Sequence, residues 1–234
     1  VNNLTATNGG TVNLYAVWRD AENPVVHRST AVQNGATGYT VYTYVTDNVG
    51  IARVQFPTWT DYNAQDDIQA NWPTNSVASG TAGSYSVGGT TYNYKYDVLV
   101  SAHNNEYGSY YTHIYAYDTT GNSVGVGAVD GFRFTFAVTL DSQSGTGGTA
   151  SVTAIYGNAM PSATMPTKTG HTFGGYFTGT NGSGTQYYTA AGASARAWDK
   201  AAATTLYAKW TKESYTITFD ANGGNAVTTA SYAY

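Results

Sequence analysis

Apolar and polar residues alternate most regularly between positions 132 and 140. The apolar members of this run are Phe132, Phe134, Phe136, Val138 and Leu140. Strict alternation is typical of a half-buried β-strand, because successive side chains of a strand point to opposite faces. We therefore predict one continuous strand here, with a boundary between two modules inside it, near Ala137. A strand that runs through such a boundary would make the junction stiff.

Further strands are predicted on the amino-terminal side of this run. The strand-like segments are residues 39–46, 51–56, 92–100 and 110–117, and turn sequences such as residues 47–50 and 118–122 separate them. Short strands with regular turn signals and no helical period favour an all-β fold. The region from Val25 to about Phe136 is thus predicted to be a β-sandwich of immunoglobulin-like size, about 110 residues.

A short sequence recurs at widely separated positions. Leu-Tyr-Ala-Val-Trp at residues 14–18 returns as Leu-Tyr-Ala-Lys-Trp at residues 206–210, and residues 215–224 echo residues 137–145. Internal repetition of this kind indicates modules in series. We predict the end of one repeat at 1–19 (closing strand 11–18), a sandwich at 20–137, a complete small repeat at 138–210, and a linker with the start of another repeat at 211–234. Residues 193–203 are predicted to form one helical turn.

The composition fits an all-β chain and excludes several kinds of partner. Of 234 residues, 41% are hydrophobic but only 10% charged, with 22 Tyr and 27 Gly. The net charge of −4 and the ten scattered basic residues argue against nucleic acid or an anionic membrane as partner. No apolar run is long enough to span a bilayer. The absence of cysteine excludes disulfides, thiolate metal sites and a Cys nucleophile.

The small repeat contains Thr-Gly-His-Thr-Phe at 169–173 within residues 165–178, ends on Leu-Tyr-Ala-Lys-Trp, and is followed by the restart at 215–224. In these motifs it resembles the Listeria–Bacteroides repeat, a β-grasp-like module of bacterial surface proteins. The resemblance implies structural roles for four residues of the motifs, namely Trp18, Gly170, Phe173 and Trp210.

The central stretch contains a second set of motifs, at residues 47–50, 54–60, 65–68, His103 and 108–118. In these motifs it resembles the Bsp-like repeat of streptococcal surface proteins. The resemblance implies structural motif roles for His103, Tyr110, His113 and Tyr115. Together the two resemblances imply an extracellular, surface-attached, modular protein of the kind found in Gram-positive-type bacteria, and neither family is known for catalysis.

His103 and His113 are the pair of histidines most like a functional site. Close to Asp66 and Asp67 they could bind a divalent metal or transfer protons. The alternative is structural: His113 shares the face of a predicted strand with tyrosines at positions 111, 115 and 117. We expect the structural role.

Carboxylates offer two further kinds of site. Asp66 and Asp67 could form the pair that a glycosidase needs, but adjacent strand residues point to opposite faces. The acidic turns at 47–48 and 118–122 could hold Ca²⁺, although Asx turns explain them equally well. We therefore predict no enzyme, no catalytic residue, no metal site and no cofactor, with Ca²⁺ left as an alternative.

Exposed rings could form a carbohydrate platform. Trp59, Tyr62 and Trp72 are the candidates, because such rings bury area while keeping a polar edge. The alternative is that Trp59 belongs to the core.

The predicted function is non-catalytic: a stalk or fibre-building element of a cell-surface protein. Its partners would be neighbouring modules of the same chain or identical chains in a fibre, and a host or cell-wall glycan or protein is a further candidate. Residues 215–234 could complete a neighbouring molecule around residues 11–18. The alternative function is an adhesin or carbohydrate-binding module, including one accessory to a cell-wall hydrolase.

Overall fold

The computed structural model describes residues 9–11, 13, 15, 16 and 19–233. Strands make up its regular structure almost entirely, so the predicted all-β class is confirmed. The predicted closing strand at 11–18 lies partly outside the described residues, and Trp18 lies outside them. Among the residues described, no helix is long and apolar enough to cross a membrane.

Eight strands form a sandwich of two antiparallel sheets. They are β1 (Val25–Gln33), β2 (Gly38–Thr46), β3 (Ile51–Gln55), β4 (Thr58–Thr60), β5 (Thr81–Val87), β6 (Thr90–Leu99), β7 (Tyr110–Asp118) and β8 (Ser123–Phe132). The first sheet has the order β1-β2-β6-β5. In the second sheet β3 and β4 follow each other along one edge of β7, and β8 pairs with the other edge.

The core of the sandwich lies between these two sheets. Alternate residues of β2 and β7 point into it, so that Tyr39, Val41, Tyr110 and Ile114 are fully buried. The Tyr39 hydroxyl is hydrogen-bonded to the Thr112 hydroxyl at 2.9 Å, which gives this buried polar group a partner. The alternation read from the sequence therefore identifies the inward faces correctly.

Five more strands form a small mixed sheet. They are β9 (Thr135–Asp141), β10 (Ser151–Ile155), β11 (His171–Phe177), β12 (Gln186–Tyr188) and β13 (Thr204–Lys212), in the order β10-β9-β13-β11-β12. The two strands at its centre, β9 and β13, are parallel, and the other pairs are antiparallel. The first and last strands of this segment thus lie side by side in the middle of the sheet.

The predicted helical turn at 193–203 is wrong. This segment, described throughout, forms no helix. The backbone N–H of Trp198 instead donates to the carbonyl of Asn158, and the Trp198 carbonyl accepts from Gly157. The segment is irregular, and the Trp198 side chain, which is completely buried, packs into the core beside Tyr187.

The predicted continuous strand at 132–140 is interrupted at Arg133 and Phe134. β8 ends at Phe132 and β9 begins at Thr135. The alternation of burial nevertheless continues: Phe134 and Phe136 are buried, and Arg133 and Thr135 are exposed. Hydrogen bonding breaks here because the chain leaves β7 as its partner and takes β10 and β13 instead.

The last described strands form an exposed hairpin. β14 (Ser214–Ile217) pairs antiparallel with β15 (Ala230–Ala233), and all residues of both strands are exposed. The predicted module boundaries at 137 and 210 stay predictions.

Candidate functional site

The outer face of β7 carries a row of ring side chains. Tyr111, His113, Tyr115 and Tyr117 are half-buried, while the residues between them are buried in the core. This is the shared face that the sequence predicts. On the neighbouring strand, the residue opposite Tyr115 is Gly125. A Cβ there would lie only 2.6 Å from the Tyr115 ring, so the ring rests directly on the backbone of β8.

Trp59 of β4 packs onto this row from one side. It lies opposite Tyr111 in register, and the two rings stack with centroids 5.8 Å apart and an interplanar angle of 15°. The edge of the His113 ring faces the indole at 4.9 Å. Trp59 is half-buried on the outer face of the sheet. The alternative that it is a core residue is therefore wrong.

Trp72 approaches the row from a loop between β4 and β5. Its ring lies against Tyr115 with centroids 4.6 Å apart. The loop is fixed by Gln55, a buried residue whose side-chain amide donates to the carbonyls of Trp72, at 2.5 Å, and Asn75, at 3.0 Å. A buried polar side chain on the strand thus positions an aromatic ring that is 17 residues away in sequence.

A cleft of about 290 Å³ opens between the two indoles. The residues that line this aromatic cleft are Pro57, Trp59, Gln65, Ile68, Trp72, His113 and Tyr115. None of them carries a formal charge when His113 is neutral. The arrangement offers ring surfaces together with an amide, an imidazole, a phenol and indole N–H groups, which suits an uncharged ligand rich in hydroxyl groups.

Tyr62 lies elsewhere. It lines a separate cavity of about 280 Å³ that also contains Tyr107 and Tyr156. The structure therefore brings Trp59 and Trp72 together and leaves Tyr62, which is 59% exposed, outside the aromatic cleft.

His103 and Asp67 form a buried pair inside the sandwich. The Nδ1 atom of His103 is 2.8 Å from Oδ2 of Asp67, and both side chains are almost completely inaccessible to solvent. Both carboxylate oxygens also accept from the backbone N–H of Thr60 at 3.1 Å, and the His103 ring meets the edge of Tyr110. The pair is buried and bonded on several sides, and it therefore ties the loop that contains Asp67 to the core.

The two histidines do not form one site. His113 lies on the outer face of β7 beside Trp59, whereas His103 contacts Tyr110, which points inward from the same strand. Asp66 is exposed, although carboxylate oxygens of Asp66, Asp67 and Glu106 lie within 4.8 Å of one another. Thr60 donates its hydroxyl to Glu106 and its N–H to Asp67, so the buried part of this group is bound within the protein.

The acidic turns meet at the end of the sandwich where β1 begins. Carboxylate oxygens of Asp20, Asp47 and Asp118 lie within 4.8 Å of one another. Oδ1 of Asp47 accepts from two backbone N–H groups, while its Oδ2 is buried and has no hydrogen-bond partner among the described residues. The Ca²⁺ alternative stays a prediction.

Asp118 is the most heavily hydrogen-bonded carboxylate of this group. Burial alone would raise its pKa, but the Asn122 side chain and the N–H and hydroxyl groups of Thr120 donate to it and lower its pKa to about 2. The N–H groups of Gly121 and Asn122 donate to it as well. The turn at 118–122 is therefore an Asx turn that holds an ionised carboxylate.

Comparison with known proteins finds a family match in the central part of the chain. Residues 28–130 match the family model of the GBS Bsp-like repeat. The predicted resemblance of this stretch is thereby confirmed. No curated protein and no solved structure matched the chain.

The Bsp-like repeat is a non-enzymatic repeat found in bacterial surface proteins. The matched range includes the aromatic cleft, the His103–Asp67 pair and three of the motif residues, Tyr110, His113 and Tyr115. The Listeria–Bacteroides resemblance of the small sheet stays a prediction.

The motif residues of the small sheet have contacts typical of a core. Trp210 donates its indole N–H to the Ser142 carbonyl at 2.8 Å, and its ring meets the edge of Phe173 with centroids 5.4 Å apart. Gly170 adopts a φ of 64°, a conformation that favours glycine, in the turn before β11.

Burial raises the pKa of Tyr176 and of Tyr188 to about 12, so both remain neutral.

Several residues that build these sites give no clear signal in the sequence. Gln55 alternates with Val54 and Phe56, so the pattern places it on the outer face, and only the covering loop makes it buried. Nothing in the local pattern of Gln65 connects it with Trp59. Tyr107 lies in a loop, where periodicity gives no signal.

Proposed function

We propose that the chain is a non-catalytic structural segment of a bacterial surface protein, acting as a stalk or fibre-building element. In this proposal the sandwich and the small sheet work as stiff units whose junction resists bending. The observation that supports this proposal most directly is the set of contacts at that junction. The match of residues 28–130 to a repeat of bacterial surface proteins supports the cellular setting.

Rings from both modules meet at the junction. Tyr107 belongs to a loop of the sandwich, and its ring lies 5.2 Å from Phe134, 6.4 Å from Phe136 and 4.9 Å from Tyr156, measured between centroids. We call these four residues the junction cluster. The Tyr107 hydroxyl donates to the Ala36 carbonyl at 2.7 Å, which fixes the ring to the sandwich.

A side chain of the sandwich also binds the backbone of the small sheet. The Gln33 amide, at the end of β1, donates to the Thr135 carbonyl at 2.8 Å. Its oxygen accepts from the Thr135 N–H at 2.9 Å. Two such hydrogen bonds on one residue fix direction as well as distance.

The connection between the modules is too short and too buried to act as a hinge. Only Arg133 and Phe134 separate β8 from β9, and the Phe134 side chain has no solvent exposure. Bending here would expose Phe134 and separate the Gln33–Thr135 hydrogen bonds. Because burial of a phenylalanine side chain alone is worth about 1.5–3 kcal/mol, the arrangement that keeps Phe134 buried should dominate.

The absence of native cysteine allows a direct test with a pair of spin labels. Val49→Cys and Ala202→Cys place one label on an exposed residue of each module. Double electron–electron resonance should give a single narrow distribution of distances between the two labels. Adding Tyr107→Ala removes the centre of the junction cluster and should broaden it at least twofold.

The matched control is Tyr62→Ala, which removes an exposed tyrosine near the junction and should leave the distribution narrow. A broad distribution in the chain with native Tyr107 would refute the stiff-stalk proposal. Equal broadening by both tyrosine substitutions would assign the effect to general loosening of the loop and would also count against it.

A further inference from the structure

We propose that the aromatic cleft is a binding site for an uncharged glycan, with one pyranose ring held between Trp59 and Trp72. This goes beyond a stalk function, because it gives the matched Bsp-like segment a ligand. It rests on three features of the cleft: the fixed rings, the unpaired polar atoms and the absence of charge.

The ring faces are held in place before any ligand arrives. Trp59 is fixed by stacking on Tyr111 and by the edge of His113, and Trp72 is fixed by the Gln55 hydrogen bond to its carbonyl and by Tyr115. Rigid, half-exposed rings give up little conformational entropy on binding. Sugar C–H groups pack well on such faces.

The polar atoms around these rings are available. Within the part of the chain that the structure describes, the side-chain polar atoms of Trp59, Gln65, Trp72, His113 and Tyr115 make no hydrogen bond to the protein. By contrast, several tyrosine hydroxyl groups that lie away from the cleft have a hydrogen-bond partner in the protein. They are those of Tyr39, Tyr107, Tyr110 and Tyr188. The polar atoms of the cleft face solvent and have no partner in the protein, so a ligand can bond to them in place of water.

The chemistry of these groups favours a glycan. The Gln65 amide, the His113 imidazole and the Tyr115 hydroxyl can each both donate and accept, as sugar hydroxyls do. Anionic ligands would require Lys or Arg, and neither lines the cleft. A proline-rich peptide also binds aromatic grooves, but it presents mainly carbonyl acceptors and would leave the accepting atoms unused.

The test titrates the whole chain with four soluble probes by calorimetry: the hexamers of N-acetylglucosamine, glucose in β-1,4 linkage and glucose in α-1,4 linkage, and a proline-rich decapeptide. We expect at least one hexamer to bind. Binding of the N-acetylglucosamine hexamer alone would indicate a cell-wall-like glycan. Binding of a glucose hexamer would indicate a glycan from another source.

Two substitutions assign the binding to the cleft. Trp72→Ala, in a loop, should raise the Kd at least tenfold, and Gln65→Ala, on an exposed residue, should raise it about threefold. The matched control Tyr44→Ala removes a ring from the other sheet and should change the Kd less than twofold. Thermal unfolding confirms that each variant is folded.

Three outcomes would overturn the proposal. One is that no hexamer binds at concentrations up to about 10 mM, which would mean that any Kd is weaker than the millimolar range. Another is that binding persists unchanged in both Trp72→Ala and Gln65→Ala. The third is that the decapeptide alone binds and loses affinity in Trp72→Ala, which would assign the cleft to a peptide.

Discussion

The adjacent residues Asp66 and Asp67 have opposite environments, and this difference can be measured. Asp67 is buried and bonded to His103 and Thr60, whereas Asp66 is exposed. Removing one partner of a buried pair leaves the other polar group without a partner, at a cost of about 3–5 kcal/mol. Asp67→Ala should therefore lower the free energy of unfolding in urea by about 3 kcal/mol.

Asp66→Ala provides the matched control, since an exposed substitution usually changes stability by less than about 0.5 kcal/mol. If both substitutions cost the same, the His103–Asp67 pair would not be the stabilising element inferred here. Catalytic use of this pair is disfavoured by its burial, because a substrate has no access to it.

The lowered pKa of Asp118 predicts how the stability of the protein depends on pH. Its folded pKa of about 2 is below the ordinary value of about 3.9, so its contribution to stability is complete above pH 4 and is lost as the pH falls toward 2. The thermal midpoint should fall over this window. Asp118→Asn should lower the midpoint at pH 7 and reduce the change between pH 4 and pH 2.

The control for this prediction is Asp130→Asn, an exposed residue of β8. It should leave the change between pH 4 and pH 2 as it is in the native chain. An equal pH dependence in Asp118→Asn would show that other carboxylates govern acid unfolding.

At the scale of elements, the segment between β8 and β9 is the most informative. Phe134 is fully buried, and its ring contacts Tyr107, Tyr110 and Phe132. Phe134→Ala removes a large side chain from a packed cluster, for which the usual cost is about 3–5 kcal/mol. Chemical unfolding followed by tryptophan fluorescence should show this loss.

Phe219→Ala is the control, since Phe219 is 48% exposed and its loss should be nearly neutral. A small effect of Phe134→Ala would mean that the junction cluster adds little to the stability of the two modules. The same result would weaken the argument for a stiff junction.

The elements differ in how well the alternation of apolar and polar residues predicts them. The segment at 110–117 was predicted nearly to its observed bounds, because its alternation is strict and one face is buried. The helical turn predicted at 193–203 is wrong because the large side chain of Trp198 is buried in the core. Burial of that side chain outweighs the helix preference of the alanines around it, since tertiary packing commonly overrides local propensity.

At the scale of the whole molecule, two modules that each have their own sheets share one ring cluster and a pair of hydrogen bonds between the Gln33 side chain and the backbone of Thr135. The consequence proposed here is a stiff stalk that presents an aromatic cleft on its side. The two ideas are independent, since distance measurements test the first and glycan titration tests the second.

The sequence by itself determined the all-β class, the inward and outward faces of the strands, and the segment similar to the Bsp-like repeat. These properties depend on local alternation, turn chemistry and motifs, all of which are written in neighbouring residues. It also identified Trp59 and Trp72 as exposed-ring candidates.

Only the tertiary structure decided which distant residues meet. The pairing of His103 with Asp67, the anchoring of Trp72 by Gln55, and the separation of Tyr62 from the aromatic cleft all depend on how loops fold over the sheets. The same holds for the change of strand partners at Arg133 and Phe134. Contacts between residues far apart in sequence arise from the packing of the whole chain, and local periodicity carries no information about them.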